Sequence, residues 1–318
     1  MEPLSFLEYL NKIDYEARIP LEEKLILYNN GAPYGQIVFV GGGGGSGKGF
    51  AIKNFMQGEL FKIRDVDALK IAFKKLDELE EFSLKDLLKK YGHKIKEDDM
   101  ALVQKHVIDK GLSLKDLSLK VPEHVHALHI LVRATGMKNK TFDLLLKGAS
   151  TNNLPNILID STLNDMSDFD SYVPKLLNAG YKPTNIHVTW VLTNYKIALE
   201  NNKNRDRTGP EDVLLQTHRG ASQTMFNLIK NGFPNGVDGG FYIILSNPEN
   251  TVYLIDPKTG KDYKDIKGNK VVKDFTYITM KKPGKPMMTT ADLRQKLFNW
   301  IKDNVPPDAL DFSKFDKL

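Results

Sequence analysis

The residues of this sequence that are best suited to chemistry lie between an apolar run at 37–40 and a stretch with helical spacing after residue 50. Glycines allow neighbouring backbone N–H groups to turn toward one anion without Cβ clashes, and a following helix N-terminus adds a positive dipole. With Lys48 near the terminal phosphates, the Gly-x-x-x-x-Gly-Lys spacing predicts a loop that binds ATP or GTP. A glycine linker is the alternative, but a linker is not expected between a strand and a helix. The predicted binding residues are Gly42, Gly43, Gly44, Gly45, Ser46, Gly47, Lys48, Gly49 and Phe50.

Phosphoryl transfer also requires a metal ion, and here the sequence departs from the usual pattern. The Ser or Thr hydroxyl that ordinarily coordinates Mg²⁺ directly after the lysine is replaced by Gly49. Asp160 ends the apolar run at 157–159, and we expect its carboxylate to hold Mg²⁺ directly or through water. An acid at the end of a strand also often caps the next helix, so both roles stay open for Asp160.

Candidates for the acceptor base and for positive charge over the phosphates lie elsewhere in the chain. Asp67 follows a short predicted strand, where its carboxylate could face an acceptor hydroxyl. Asp65 would share its side of the strand, and helix capping is the alternative role for Asp67. Arg205 and Arg207 lie in a polar segment after a predicted helix, and Arg219 lies in the next helix. We expect these arginines to form a lid over the phosphates, with ordinary surface ion pairs as the alternative.

The elements that must position these residues alternate between strands and helices. A strand, a helix and a second strand in quick succession indicate a parallel β-α-β unit, and the alternation resumes after residue 155. We predict an α/β fold of the P-loop NTPase class, with a doubly wound parallel sheet, a helical insertion and a C-terminal β-hairpin extension. The predicted division is a helical lead-in at 1–34, a P-loop core at 35–67 and 149–248, a helical insertion at 68–148, and a basic β-hairpin with a C-terminal helix at 249–318.

A five-residue sequence motif occurs twice within the predicted insertion. Ser83-Leu-Lys-Asp-Leu recurs as Ser113-Leu-Lys-Asp-Leu. A serine with an acid three residues later is typical of a capping box, so we predict two helix N-termini rather than a solenoid repeat.

Composition limits the class of protein. The chain of 318 residues has 41% hydrophobic and 27% charged residues, as soluble globular proteins do. It contains no cysteine, which excludes disulfides and thiolate metal sites, and no apolar stretch is long enough for a membrane span. We expect an intracellular, cytoplasmic protein.

The net charge of +5 equals the surplus of positive charge within residues 256–285. This surplus predicts a face that binds nucleic acid or an acidic partner. A solvated lysine-rich hairpin is the alternative.

Four segments resemble P-loop kinases of the zeta-toxin, adenylate-kinase and polynucleotide-kinase grouping; they are residues 40–49, 64–70, 157–162 and 201–207. The resemblance implies transfer of the γ-phosphoryl group of ATP or GTP to a hydroxyl on a sugar nucleotide, a nucleic-acid end or a small metabolite. It also implies the roles of the side chains. Lys48 would neutralise the phosphates, Asp67 would orient the acceptor, Asp160 would hold Mg²⁺, and Arg205 with Arg207 would close the lid.

Two other functions stay open. A catalytically degenerate nucleotide-binding protein with a structural or regulatory role would also lack the hydroxyl that Gly49 replaces, because such a loop still cradles phosphate. A motor or helicase-like ATPase is the third alternative, although the sequence has no evident second acidic pair of the Walker type.

Overall fold

One mixed sheet lies at the centre of the protein. The computed structural model describes residues 26, 28, 34–65, 67–147, 154–204, 209–257, 259–265, 268–288 and 290–313, with only the main chain of residue 67. Its strands are β1 (Ile37–Gly41), β2 (Lys62–Asp65), β3 (Ile157–Asp160), β4 (Ile186–Leu192), β5 (Phe241–Leu245), β6 (Thr251–Tyr253) and β7 (Val272–Lys281). The helix predicted in the lead-in lies outside the described residues, apart from residues 26 and 28.

The order of the strands is β2-β3-β1-β4-β5-β7-β6. The first five are parallel, whereas β7 runs antiparallel to β5 and β6 antiparallel to β7. Parallel strands are buried on both faces and therefore have continuous apolar sequences. In β1, Ile37 and Phe39 belong to the core on one face of the sheet, and Val38 and Val40 belong to the core on the other.

Helices cover both faces of this sheet. Those assigned among the described residues are α1 (Lys48–Phe55), α2 (Asp67–Glu78), α3 (Leu84–Tyr91), α4 (Glu97–Val103), α5 (Pro122–Thr135), α6 (Met137–Lys147), α7 (Ser167–Asn178), α8 (Tyr195–Lys203), α9 (Glu211–Asn231) and α10 (Ala291–Asn304). Phe169 of α7, Met225 of α9 and Ile301 of α10 pack on the face that holds Phe39, and Ile52 of α1 packs on the opposite face. Within the described ranges, no helix combines the length and apolar character that a membrane span requires.

Helices α2 to α6 lie between β2 and β3 in the chain and have an apolar core of their own, which includes Leu87, Val103 and Leu128. The N-terminus of α3 forms the predicted capping box. The Ser83 side chain accepts a hydrogen bond from the Asp86 amide, and the Asp86 carboxylate accepts one from the Ser83 amide. The first of the two predicted caps is therefore confirmed.

The second predicted cap is wrong. The amide of Ser113 donates to the Asp116 carboxylate at 2.9 Å, but the residues that follow form turns rather than a helix. Groups of α2 bind this backbone instead, because the Lys115 amide donates to Asp77 at 2.9 Å and the Lys74 ammonium donates to the Lys115 carbonyl at 2.8 Å. Tertiary hydrogen bonds thus replace those that a helix would have provided.

The C-terminal strands pair antiparallel, as a hairpin extension requires, and they also continue the central sheet. Strand β7 pairs with β6 but also with the whole of β5, so it extends the central sheet. Phe275 of β7 stacks on Phe55 of α1, with ring centroids 4.0 Å apart. This contact gives β7 a buried face that a solvated hairpin would lack.

Two lysines of residues 256–285 form ion pairs, one on the surface and one buried. The Lys270 ammonium lies 2.6 Å from the Asp262 carboxylate, and the buried Lys281 ammonium lies 2.7 Å from that of Asp238. Because Asp238 lies outside the segment, the Lys281 pair compensates one of the five surplus positive charges from which a partner surface was predicted.

A buried histidine in β4 predicts a pH dependence of stability. The Gly240 amide donates to Nδ1 of His187 at 2.8 Å and Nε2–H donates to the Gln36 side chain at 2.9 Å, so the folded state holds a neutral ring. Burial, reinforced by the positive charge of Lys281, lowers the pKa of His187 to about 3. Below the ordinary histidine pKa of about 6.5, this side chain binds a proton in the unfolded chain but not in the folded chain. The free energy of unfolding therefore decreases as the pH falls from about 6.5 toward 3.

We expect this histidine to contribute up to about 1.4 kcal/mol of unfolding free energy per pH unit below pH 6. Urea unfolding of the wild type and of His187→Asn, each at pH 5 and at pH 7, measures it. The variant should show the shallower pH dependence, and the exposed-site control His93→Asn should match the wild type. Equal pH slopes for all three proteins would contradict the assignment.

Candidate functional site

The glycine loop at 42–47 joins the carboxyl end of β1 to the N-terminus of α1. Strand β1 lies between β3 and β4, and the chain first continues to the β3 side and later crosses to the β4 side. This reversal is a topological switch point, where open α/β sheets leave a crevice beyond the carboxyl ends of their strands. The loop therefore lies where such folds bind ligands.

Gly45 and Gly43 show why this loop requires glycine. Gly45 has φ +76°, and a Cβ there would lie 2.3 Å from the carbonyl oxygen of Ala198 in α8. A Cβ on Gly43 would lie 2.3 Å from the ring of His218 in α9. The run of glycines thus reflects close approach of two helices as well as backbone conformation.

Polar side chains of neighbouring elements hold the loop from outside. Both backbone polar groups of Gly44 are hydrogen-bonded, because its amide donates to the Thr217 hydroxyl and its carbonyl accepts from Nε2–H of His218, each at 2.9 Å. The Thr193 hydroxyl, after β4, donates to the Ser46 carbonyl at 2.6 Å. These residues were not found by sequence analysis, since nothing in their own segments indicates which loop they contact.

The environment of His218 keeps its ring neutral. Burial lowers the pKa of His218, the hydrogen bond to the Gly44 carbonyl opposes that shift, and the positive charge of Lys48 lowers the pKa further. A neutral ring suits this position, because a charged imidazolium would be buried and repelled by the Lys48 ammonium.

The remaining polar groups of the loop are donors that can serve a ligand. Among the described residues, the amides of Gly45, Gly47 and Gly49 have no hydrogen-bond acceptor, and the buried Ser46 hydroxyl has no partner. The Lys48 ammonium lies against the loop, 2.8 Å from the Gly42 carbonyl and 3.3 Å from the next one. Several N–H donors and one cation at a helix N-terminus form an arrangement that favours a polyphosphate anion.

Two carboxylates lie at the same edge of the sheet. Asp65 ends β2 and Asp160 ends β3, and they are register partners, while Asp160 is also the register partner of Val40 in β1. Asp67 lies two residues farther on, as the first residue of α2. The structure therefore brings Asp65 and Asp160 together beside the start of the loop.

The end of β3 is fixed by a small polar network. Ser161, directly after Asp160, donates its hydroxyl hydrogen bond to the buried Asp168 carboxylate of α7. The other oxygen of Asp168 lies 2.6 Å from the Lys138 ammonium of α6. These contacts restrict the backbone that carries Asp160.

The predicted arginine lid is only partly described. Arg205 and Arg207 lie outside the described residues, although the flanking residues Asn202 and Gly209 are joined by hydrogen bonds of 2.9 and 3.0 Å. Arg219 is directed elsewhere, because its guanidinium binds the Asp308 carboxylate through Nε at 2.9 and 3.0 Å and Nη2 at 2.9 Å. The structure thus gives Arg219 a partner in the C-terminal segment and not at the loop, and we remove it from the candidate site.

Comparison with known proteins gives only distant structural likenesses. No family model matches the chain, and no curated protein matches it. A solved chain of the AvrRxo1-ORF1:AvrRxo1-ORF2 complex with ATP is 13% identical, with a TM-score of 0.40, 98% of this chain covered and 82% of that one. A chain of the PezAT chromosomal toxin–antitoxin system of the human pathogen Streptococcus pneumoniae is 15% identical, with a TM-score of 0.35 and coverages of 77% and 81%. Matches of this strength do not assign a function.

Proposed function

We propose that this protein is a P-loop kinase of the zeta-toxin-like type, which transfers the γ-phosphoryl group of ATP or GTP to a hydroxyl acceptor. The observation that carries the proposal is the glycine loop at the switch point of the sheet. Its amides at Gly45, Gly47 and Gly49 have no acceptor among the described residues, and they lie beside the Lys48 ammonium. Phosphoryl transfer depends mainly on such positioned donors and positive charge.

Each remaining part of the reaction has a candidate. Lys48 neutralises the β- and γ-phosphates. Asp67, or Asp65 at the end of the preceding strand, accepts the proton of the acceptor hydroxyl. Arg205 and Arg207 close over the transferring group. The core at 35–67 and 149–248 holds the donor, and the helical insertion at 68–148 borders the acceptor.

The residues present fit a Mg²⁺ ion. Magnesium is usually held by one or two carboxylates together with substrate phosphates and waters, so it needs no cage made entirely of protein. Asp160, with Asp65 as its register partner, offers such oxygens at the edge next to the loop. No group of three acidic or histidine ligands occurs in the described part of the chain, and Gly49 adds no oxygen. The ion would neutralise charge on the phosphates, with Asp160 as the main protein ligand.

A panel of hydroxyl acceptors incubated with γ-labelled ATP or GTP tests the proposal. Sugar nucleotides, nucleic-acid ends and small metabolites form the panel, each with Mg²⁺ and with a chelator. We expect Mg²⁺-dependent transfer of label to at least one acceptor class. Binding of nucleotide without transfer to any acceptor would favour the alternative, and the absence of nucleotide binding would contradict both.

That alternative is a nucleotide-binding protein without catalysis, and one observation favours it. Gly49 occupies the position of the usual metal-binding hydroxyl, directly after Lys48. Such a loop would still hold phosphate through its amides.

Restoring the hydroxyl tests whether this position can contribute a ligand to Mg²⁺. A Cβ on Gly49 would have no atom within 4 Å, so the position accepts a side chain without displacing its neighbours. We expect Gly49→Ser to tighten Mg²⁺ binding to the nucleotide complex by roughly tenfold, about 1.4 kcal/mol, since it adds one oxygen ligand. Titration calorimetry with Mg²⁺ measures this, and Gly49→Ala, which adds a Cβ without oxygen, is the matched control. If serine and alanine gave the same Mg²⁺ affinity, the hydroxyl would have no role at this position.

A further inference from the structure

A groove lies between the turn that follows β5 and strand β7. Its volume is about 340 Å³, and its lining includes Asn250 and Val252 on one side and Phe275, Thr276 and Tyr277 on the other. It is formed by segments that the sequence analysis did not connect with the glycine loop. Its size suits a planar heterocycle rather than a protein segment.

A row of aromatic rings connects this groove to the first turn of α1. Tyr277 stacks on Phe275 with centroids 5.3 Å apart and an interplanar angle of 28°, and Phe275 stacks on Phe55 at 4.0 Å and 10°. Phe50, two residues after Lys48, meets Phe55 edge to face at 5.4 Å. Tyr277 is 36% exposed, which leaves part of its ring accessible. Bases stack on accessible aromatic rings in proteins that bind single-stranded nucleic acid, so the exposed part of the Tyr277 ring is a surface on which a base could stack.

Asn250, one of the residues that line the groove, has an unpaired acceptor. The Oδ1 atom of Asn250 is buried and has no hydrogen-bond partner among the described residues. An unsatisfied buried acceptor is destabilising, so a ligand that donates to the Asn250 amide once this side chain turns toward the groove gains affinity. The groove is also lined by the carboxylates of Glu249 and Asp274, which accept hydrogen bonds and donate none when ionised. The lining therefore favours a ligand with an amino group.

The groove is close enough to the loop for one nucleotide to reach both. The Ser246 hydroxyl, directly after β5, would lie 3.0 Å from a Cβ on Gly47. Asn250 follows only four residues later, so its Cα is at most about 15 Å from that of Ser246. The phosphate and base ends of a nucleotide can thus contact neighbouring segments of one turn.

We propose that this groove binds the purine base of the donor nucleotide, with Tyr277 stacking on the base and Asn250 Oδ1 accepting a hydrogen bond from its exocyclic amino group. Adenine and guanine both carry such a group, and the experiment distinguishes them. The inference rests on the proposed function, because the triphosphate must bind at the glycine loop.

Calorimetry with two matched nucleotide pairs tests the inference. ATP is compared with purine riboside triphosphate, which lacks only the amino group of adenine, and GTP with inosine triphosphate, which lacks only that of guanine. In the wild type, we expect the amino-bearing member of one pair to bind at least tenfold more tightly, and that pair identifies the donor. Asn250→Leu should abolish the difference, while Asn299→Leu on the exposed surface of α10 should retain it.

The stacking contact is tested separately. Base stacking on an aromatic side chain contributes about 1–3 kcal/mol, so Tyr277→Ala should weaken the preferred nucleotide by roughly tenfold or more, and Tyr277→Phe should preserve its affinity. Equal affinities within both pairs for the wild type would overturn the inference, as would an unchanged difference in Asn250→Leu.

Binding of inorganic tripolyphosphate distinguishes failure of the base-binding inference from failure of the proposed function. If tripolyphosphate binds as tightly as the nucleotides and competes with them, the loop holds phosphate but the groove does not hold a base. If neither tripolyphosphate nor any nucleotide binds, the proposed function fails and this inference fails with it.

Discussion

Replacement of Lys48 by alanine is expected to reduce phosphoryl transfer by at least a hundredfold, about 2.7 kcal/mol in transition-state free energy. The Lys48 ammonium contacts the Gly42 and Gly43 carbonyls at the mouth of the loop, and it is the cation of the loop itself. Its loss removes charge that opposes the charge accumulating on the transferring group. Single-turnover transfer of labelled phosphate to the acceptor found in the panel measures the effect.

Lys53→Ala is the matched control, because Lys53 lies in the last turn of the same helix and is exposed. The control should transfer phosphate at the wild-type rate, and both variants should unfold at the wild-type urea midpoint. Wild-type transfer by Lys48→Ala would remove this lysine from the mechanism.

A methyl group at Gly45 is expected to destabilise the protein by about 2 kcal/mol or more and to abolish triphosphate binding. The added Cβ would meet the carbonyl oxygen and carbon of Ala198 at 2.3 and 3.0 Å, and these are backbone atoms that cannot rotate away. The left-handed φ of +76° adds strain of its own. Urea unfolding and nucleotide calorimetry measure the two losses.

The same substitution four residues later provides the contrast. Gly49 is helical, and a Cβ there meets nothing within 4 Å, so Gly49→Ala should be as stable as the wild type or more stable by about 0.5 kcal/mol. If Gly45→Ala were as stable as Gly49→Ala, the close approach of α8 to the loop would be wrong.

The central elements were predictable because local sequence and tertiary environment agree. The strand-helix alternation predicted after residue 155 is present, with β4 at 186–192, α9 at 211–231 and β5 at 241–245. Continuous apolar runs flanked by glycine and asparagine leave little choice between strand and helix. The position of the glycine loop followed from the same pattern.

The supports of the loop were not predictable in the same way. Thr217 and His218 contact a residue more than 170 positions away, and a helix sequence alone does not indicate which neighbour its polar side chains meet. Arg219 follows them directly, yet it pairs with Asp308 rather than with the loop. Only the three-dimensional structure distinguishes these adjacent residues.

Local signals also failed where tertiary contacts supplied the backbone partners. Ser113 has the same motif as Ser83, but hydrogen bonds from α2 take the place of a helix. Strand β7 extends the central sheet, and its aromatic face packs on α1. The lysine-rich composition of this segment does not indicate that contact. Motif and composition describe a segment, whereas its neighbours decide its structure.

Hydrogen bonds on the outer side of the glycine loop fix its backbone during folding, before any ligand binds. Fixing the backbone of one residue costs about 1–2 kcal/mol, and here Thr193, Thr217 and His218 impose that loss while the protein folds. An incoming polyphosphate meets donors that are already immobilised, so little of its interaction energy is consumed in ordering the chain. The loop is thus preorganised, and under the proposed function the stability of α9 contributes to nucleotide affinity.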